Sequence, residues 1–376
     1  MTITDAPSAD ELRHHMTDRL VRAGHIRSKP WRSAFLSAPR HAFVPDFTIR
    51  ARGALHRYSQ GDPEWLVAAY QDVSLLTQFD QNGTATSSST QPSLMAEMLE
   101  ALDVRDGDTV LEIGAGTGYN AALLAHRLGD QHVVTVDIDP ELVAAARTRL
   151  RSAGYEPMLV AGDGMAGHPE RAPYDRLLAT CGVPRIPTPW LEQLRPGGVI
   201  VANIGFAIVR LEVAADHSAV GRFLPGLATF MTARPTPDSV SATAGSLVQP
   251  LLTWTGQTRG ITIPAGVDAP GPQFLASMLH PRISDFALAD DDGRQIRCLF
   301  DPVTESWARI TVTGVTSARL DHGGPRDLWA EREPLLSHWR DAGRPGHERY
   351  GLTVGLDGGH SLWLDEPDGV SWQLPA

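Results

Sequence analysis

Cysteine is scarce in this chain: Cys181 and Cys298 are the only two in 376 residues. They lie far apart, in neither a CxxC nor a metal-ligand spacing. That argues against a disulfide framework and a cysteine-built metal centre, and points to two reduced thiols in a cytoplasmic setting. No basic stripe or lysine-rich tail is present, and the formal net charge is −11. A nucleic-acid partner is therefore not expected. Long apolar runs are missing as well. The most apolar one, GGVIVANIGFAIV, is interrupted by Asn203 and Gly205 and is too short to cross a bilayer. The opening residues, MTITDAPSADELRHH, are polar and acidic, unlike a secretory leader. There is no internal repeat, and no metal site is expected. The remainder, 42% hydrophobic and 20% charged, is ordinary for a folded chain long enough to bury two cores.

Apolar spacing places the elements. Leu12, Met16 and Leu20 predict a helix stopped at Gly24, and Ser28 caps a short one running through Phe35. Leu94, Met95, Met98, Leu99 and Leu102 mark one face of another. Strand and helix then alternate: TVLEI, YNAALLAHRL closed by Gly129, and HVVTVD. Asp139 follows as N-cap with Pro140 at the first helical position, and Gly154 ends that helix. MLVA, YDRLLAT and GVIVANI continue as strands, with a helix capped by Thr188 before the last. This alternation calls for a parallel sheet covered on both faces. AIVRLEV and AVGRFL add an antiparallel hairpin. The Pro-, Ser- and Thr-rich stretch TARPTPDSVSATAGS suggests a boundary, dividing the chain into a first domain, 1–232, a linker, 233–246, and a smaller α+β domain, 247–376. A helix over Arg326–Asp341 is expected in the latter, with Trp363 and Trp372 in its core.

Gly114, Gly116 and Gly118 in TVLEIGAGTGYN fall where the first main strand turns into a helix. Glycines there let the backbone turn tightly, and a helix N-terminus offers free N–H groups to an anion. The GxGxG spacing lacks the third glycine where dehydrogenases place it. Glu112 precedes the loop, able to orient it or to meet a ligand ammonium. Asp137 ends the second strand, placed for two ribose hydroxyls, and Asp163 follows the third, placed for an adenine amino group. Either aspartate alone reads equally well as a strand-ending turn residue. All three acids in this order favour S-adenosylmethionine over a dinucleotide. Five hydroxyl side chains, Thr86 to Thr90, stand just before Gln91 and Pro92, more than one helix end needs. Thr90 is the first candidate to hold an acceptor, with Ser89 and Ser88 behind it; the competing reading makes Thr90 a helix cap.

Taken in chain order, PRHAFVPD, AYQDVSL, STQPSLMAEMLEAL, VLEIGAGTGYNAALLA, VTVDIDPELVAAAR, AGDGMAGHPERAPYDRLLAT and IPTPWLEQLRPGGVIV resemble the protein-L-isoaspartyl O-methyltransferase family. The resemblance spans about the first three-fifths of the chain. It implies a class I methyltransferase fold, Rossmann-like with a seven-stranded sheet, and S-adenosylmethionine as cofactor. Carried onto matching positions, it implies cofactor contacts from Glu112, Gly114, Ala115, Gly116, Thr117, Gly118, Tyr119, Asp137, Ile138, Gly162, Asp163 and Gly164. Acceptor contacts are implied for Thr90, Gln91, Pro92 and Thr180. The acceptor it implies is an aspartyl or isoaspartyl carboxylate of a peptide or protein. Two departures stand out: Thr90 replaces the family's usual serine before QP, and LTQFDQNGTATSSS makes the preceding segment longer than usual, a stretch able to move as a lid over 76–88. The region after Ser246 has no counterpart in ordinary repair enzymes, and RYGLTVGLDGGHSLWLDEP resembles extended members associated with ribosomal-peptide biosynthesis (graspetides, lanthipeptides). Those methylate an aspartate of a cyclised precursor, and the ester collapses to an aspartimide.

The expected function is thus carboxyl methylation of a peptide, with the second domain recruiting it. General isoaspartate repair and a non-catalytic peptide-binding shell are the alternatives. The aspartates of ADDDG read as a solvated hairpin tip, and His14, His15 and His41 as structural or solvated histidines.

Overall fold

The computed structural model describes residues 7–236, 251–263, 266–289 and 295–375. Two helices open it, α1 (Ala9–Arg22) and α2 (Lys29–Ser37). Ser8 and Glu11 cap α1 reciprocally, each side chain accepting the other's amide, and Ser28 caps α2. A small antiparallel sheet follows, made of β1 (Asp46–Ala51), β2 (Ala54–Ser59), β3 (Leu75–Phe79) and β4 (Ala85–Ser89), with α3 (Trp65–Ala69) between β2 and β3. Its order is β2-β1-β3-β4, so β4, which carries the hydroxyl run, lies at an edge.

The main sheet is built by α4 (Pro92–Leu102), β5 (Val110–Ile113), α5 (Tyr119–Leu128), β6 (Val133–Asp137), α6 (Pro140–Ser152), β7 (Met158–Ala161), β8 (Tyr174–Gly182), α7 (Thr188–Glu192) and β9 (Leu194–Ile204). Strands β5 to β9 are mutually parallel. The hairpin β10 (Ala207–Val213) and β11 (Ala219–Leu227) continues the sheet antiparallel. Every residue of β5 and β6 is buried, as expected of strands covered on both faces. Val110 packs toward Met16, Trp31 and Leu99 on one side, Leu111 and Ile113 toward Trp190 and Leu194 on the other. One cap differs from expectation: Thr188 is the first residue of α7 rather than its cap, which is Pro187.

The second region supplies β12 (Gln257–Thr262), α8 (Pro270–Leu279), β13 (Ser284–Ala289), β14 (Gln295–Asp301), β15 (Ser306–Val312), β16 (Ser317–Gly323) and α9 (Leu328–Asp341). The five strands form an antiparallel sheet in the order β12-β16-β15-β14-β13. The chain then returns. Strands β17 (Tyr350–Val354), β18 (His360–Leu364) and β19 (Ser371–Gln373) join the main sheet, whose order is β19-β18-β17-β11-β10-β9-β8-β5-β6-β7. The expected seven strands are therefore ten. The expected domain over 247–376 is not a single unit either, because its last three strands belong to the other sheet. The physical reason is an open edge: β11 would leave a row of unpaired backbone groups, and β17 pairs with it from Ala219↔Val354 to Arg222↔Gly351. Trp372 consequently packs against the main core, and Trp363 lies under the Arg222 guanidinium, 4.9 Å from its ring centre, rather than in a core of the second region. Helix α9 serves both bodies. Leu328, Trp329 and Leu336 pack on the five-stranded sheet, and Trp339 enters the main core. Most of the expected linker (237–246) and the acidic tip Asp290–Gly293 lie outside the described residues. Among those described, no helix is long and apolar enough to cross a membrane, and no cluster of metal-ligating side chains occurs.

Candidate active site

A cleft enclosing about 950 Å³ opens at the carboxyl ends of the parallel strands, between the main sheet and β4. Its first wall is the turn after β5. Gly114 has φ +97°, and a Cβ there would meet the Thr180 hydroxyl at 2.7 Å. That hydroxyl lies 3.1 and 2.8 Å from the carbonyl oxygens of Ile113 and Gly114, which fixes the turn against β8. Gly116 has φ +50° and faces the Ser88 carbonyl across the cleft, 3.4 Å from where a Cβ would stand. Asp137, at the end of β6, accepts from the Gly116 amide (2.8 Å) and the Asp139 amide (3.1 Å). Burial pushes its carboxyl pKa up despite those bonds. Asp139 caps α6 through the amides of Glu141 and Leu142, and Asp163 accepts from the Met165 amide at the exposed rim.

Glu112 stands one layer behind. It is fully buried, one oxygen accepting from Asn120 Nδ2 at 2.6 Å and the other without a partner. Burial lifts its carboxyl to about 7. Of the two roles open to it from sequence, the geometry matches orientation: it fixes Asn120, and Asn120 lines the cleft.

The second wall is β4. Its four hydroxyls and that of Thr90, just past its end, divide cleanly. Thr86 donates to Gln78 Oε1 (2.7 Å) and Ser87 accepts from Thr77 (3.3 Å), so these two hold the β3–β4 hairpin together. Gln78 in turn donates to Asp139 Oδ2 at 2.8 Å, latching the hairpin to the end of the main sheet. Ser88, Ser89 and Thr90 have no hydroxyl partner among the described residues, and Ser89 Oγ is buried. All three line the cleft. Thr90 does not cap α4. Its cap residue is Gln91, with no side-chain cap bond, and the Ser93 amide is met instead by Asp72 at 2.8 Å.

What holds this wall in place is Arg40, fully buried in a 3-10 turn. Its guanidinium reaches the carbonyls of Ala69 (2.9 Å), Gln71 (2.8 Å), Val73 (3.0 Å), Ser89 (3.5 Å) and Thr90 (3.1 Å). Burial draws its pKa down to about 10. Neighbouring His41 hydrogen-bonds the Tyr70 hydroxyl (2.7 Å) and stands edge-on to Trp65, which matches a structural histidine.

Of the expected residues, Gly114 to Thr117, Tyr119, Asp137, Ile138, Asp163, Gly164, Ser88 to Thr90 and Thr180 line the cleft together. Glu112, Gly118, Gly162, Gln91 and Pro92 are not in its lining. Gly118 caps α5 and packs against Ala146 and Leu150; Gln91 donates to Ser93 Oγ; Pro92 is buried at the first position of α4. Thr180 acts on the glycine turn, with its hydroxyl turned to those carbonyls. Sequence reasoning missed Asn120, Gln78 and Arg40, and also the wall from Met231 to Arg234. A buried acid at Glu112 needs a donor near it, so Asn120 was within reach of the sequence. The others depend on contacts between distant segments.

The site suits a sulfonium nucleoside. A turn in which Gly114 leaves no room for a Cβ lines its floor, the buried Glu112 fixes Asn120 in its wall, and Asp137 and Asp163 stand at two successive strand ends. Comparison with known proteins agrees. The family model described as Protein-L-isoaspartate(D-aspartate) O-methyltransferase matches residues 11–220, more than half the chain. The chain is 38% identical over 205 residues to the protein-L-isoaspartate O-methyltransferase of Hyperthermus butylicus, covering 52% of this chain and 76% of that one. It is 40% identical over 196 residues to the one of Methanopyrus kandleri, covering 51% and 76%. A solved structure titled protein-L-isoaspartate O-methyltransferase aligns with TM-score 0.56 and 24% identity, over 94% of this chain and all of that one, so the shared fold extends into the second region. The chain belongs to the protein-L-isoaspartate(D-aspartate) O-methyltransferase family and is an enzyme of that class, with S-adenosylmethionine as its cofactor.

Proposed function

We propose that the enzyme methylates the carboxylate of an isoaspartyl or aspartyl residue in a polypeptide, the reaction by which isoaspartate repair begins. The observation that supports this most is the trio Ser88, Ser89 and Thr90, hydroxyls with no partner of their own beside the glycine turn. S-adenosylmethionine supplies an electrophilic methyl carried on a positively charged sulfonium. The residues that would hold it are the turn Gly114 to Gly118 with Tyr119, Asn120 fixed by Glu112, Asp137 with Ile138 for the ribose hydroxyls, and Gly162 to Gly164 with Asp163 for the adenine amino group.

The acceptor needs no general base, because an aspartyl side chain titrates near 4 and is already ionised at neutral pH. The protein's task is alignment, which is worth several kcal/mol when the reacting atoms are held in line. Thr90 donates to the carboxylate, with Ser88 and Ser89 in support. Neutral donors hold the anion without the ground-state overbinding of an arginine clamp. Arg40 is occupied by main-chain carbonyls and holds the wall rather than the anion. Once the ester forms, the following backbone nitrogen displaces methanol and closes a succinimide.

Mass spectrometry after incubation with S-adenosylmethionine and an isoaspartyl peptide tests this. A product one methyl heavier, or its succinimide, is expected; neither product with any peptide would sink the reading. A second reading, tailoring of a cyclised precursor peptide to an aspartimide, draws support from Thr90 and the long β3–β4 hairpin beside it. The second region does not by itself favour it, since a solved structure titled protein-L-isoaspartate O-methyltransferase shares the fold across 94% of the chain. Cofactor binding by calorimetry with no turnover of isoaspartyl peptides, but turnover of a cyclised precursor, would favour tailoring. Cofactor binding with no turnover of either would leave the non-catalytic shell.

A further inference from the structure

The reaction cleft does not end at its own walls. Thr232 borders both the cleft and a second hollow of about 1010 Å³ that begins at Gly182 and Val183, immediately after Thr180 and Cys181 of the cleft. The junction is built: Gly182 donates to the Met231 carbonyl (2.9 Å), and Ala233 donates to the Gly182 carbonyl (2.8 Å). One side of the hollow is the end of β9, where Asn203 is fully engaged with the carbonyls of Ala207 and Ala228 and the amide of Phe230. The other side comes from the second region: Ala276, Ser277 and Met278 of α8, then Ser284 and Asp285.

We propose that this groove holds the polypeptide flank on one side of the methylated residue, lying extended between the main sheet and α8. The inference rests on the polypeptide-acceptor reading. A residue embedded in a chain must let that chain leave the cleft, and this hollow lies next to the cleft, with Thr232 lining both. Its chemistry selects an uncharged segment. The charged groups that border it are already paired, Arg332 Nη1 to Asp285 at 2.9 Å and Arg297 to both Asp285 oxygens at 2.8 Å. The rest of the lining is small, apolar or neutral-polar. Arg332 is 4% exposed, and its Nε is buried without an acceptor. Binding along the groove is shared by ground and transition states, so it lowers KM and leaves kcat unchanged.

The test uses the full chain with two isoaspartyl peptides, a short one and one extended on either side to about a dozen residues, about 40 Å when stretched. Extension on one side only is expected to lower KM about tenfold with kcat unchanged. Thr229→Trp and Ser284→Trp, on opposite walls of the groove and away from the reacting groups, are expected to abolish that gain while the short peptide is turned over as before. Equal KM for both peptides, as would follow if the chain's own segment filled the groove, overturns the proposal; so do variants that treat both peptides alike. Fluorescence anisotropy of the labelled long peptide with S-adenosylhomocysteine separates the two ideas. Binding blocked by both tryptophans without ester formation upholds the groove and removes the acceptor reading. Methylation without any length dependence does the reverse.

Discussion

The two walls of the cleft are made by different means. The donor wall is the end of a buried parallel sheet, and its key residues lie close in sequence: Glu112 to Asn120, then Asp137 and Asp139. The acceptor wall is an edge strand of another sheet, pinned by Arg40 from up to 50 residues away and latched through Gln78 to Asp139, 61 residues further on. One wall needs only a strand-turn-helix to form; the other forms only when the whole N-terminal third has packed. The difference suggests that cofactor binding and acceptor alignment can be damaged separately.

Replacing Arg40 should show this most strongly. Arg40→Met takes the donor from five main-chain carbonyls, two of them in fully buried bonds, and is expected to cost about 3 kcal/mol of stability in denaturant unfolding. Arg40→Lys should recover part of the stability but less of the kcat, since one ammonium cannot span five carbonyls from two segments. On the other wall, Gly114→Ala sets a Cβ against Thr180 at positive φ. Calorimetry should find S-adenosylmethionine bound at least tenfold more weakly, about 1.4 kcal/mol, with the acceptor hairpin intact.

Thr90→Ala tests the acceptor wall at its centre. The fold and cofactor affinity should be unchanged while kcat falls about tenfold; near-full methylation by a well-folded variant would remove Thr90 from the reaction. Gln78→Ala, which cuts the latch to Asp139, should raise peptide KM roughly tenfold, the scale of one hydrogen bond to an ionised carboxylate. The smallest expected effect is a pH slope. Glu112 in the folded chain holds its proton up to about 7, against 4.5 ordinarily. Folded molecules therefore bind more protons than unfolded ones between those values, and stability must fall as pH rises through that window. Glu112→Gln should flatten this part of the Tm-against-pH curve, and an unchanged slope would show that the carboxyl is not the source.

Much of the donor wall was legible because its determinants are local. The glycines, the Asp139–Pro140 helix start and the alternating strands are each readable over a few residues. Glu112 was legible as an acid, while its partner Asn120, the second residue of α5, was not. Of the acceptor wall only the hydroxyl run was visible. The division of that run, with Thr86 and Ser87 holding the hairpin and Ser88 to Thr90 left facing the cleft, follows from strand pairing with Thr77 and Gln78. The return of the last three strands to the main sheet was misread for a related reason. The turns LDGG and EPDG announce hairpins but do not say which sheet edge stands open to receive them.

Local sequence alone determined that a glycine turn would close a parallel strand and that acids would stand at the next two strand ends, because backbone sterics and capping act over a few residues. Tertiary packing alone decided which hydroxyls remain unpaired, which arginine braces the acceptor wall, and that a second hollow lies beside the cleft against the second region. Those outcomes are set by contacts between segments tens of residues apart, where a single sequence carries no record of who meets whom.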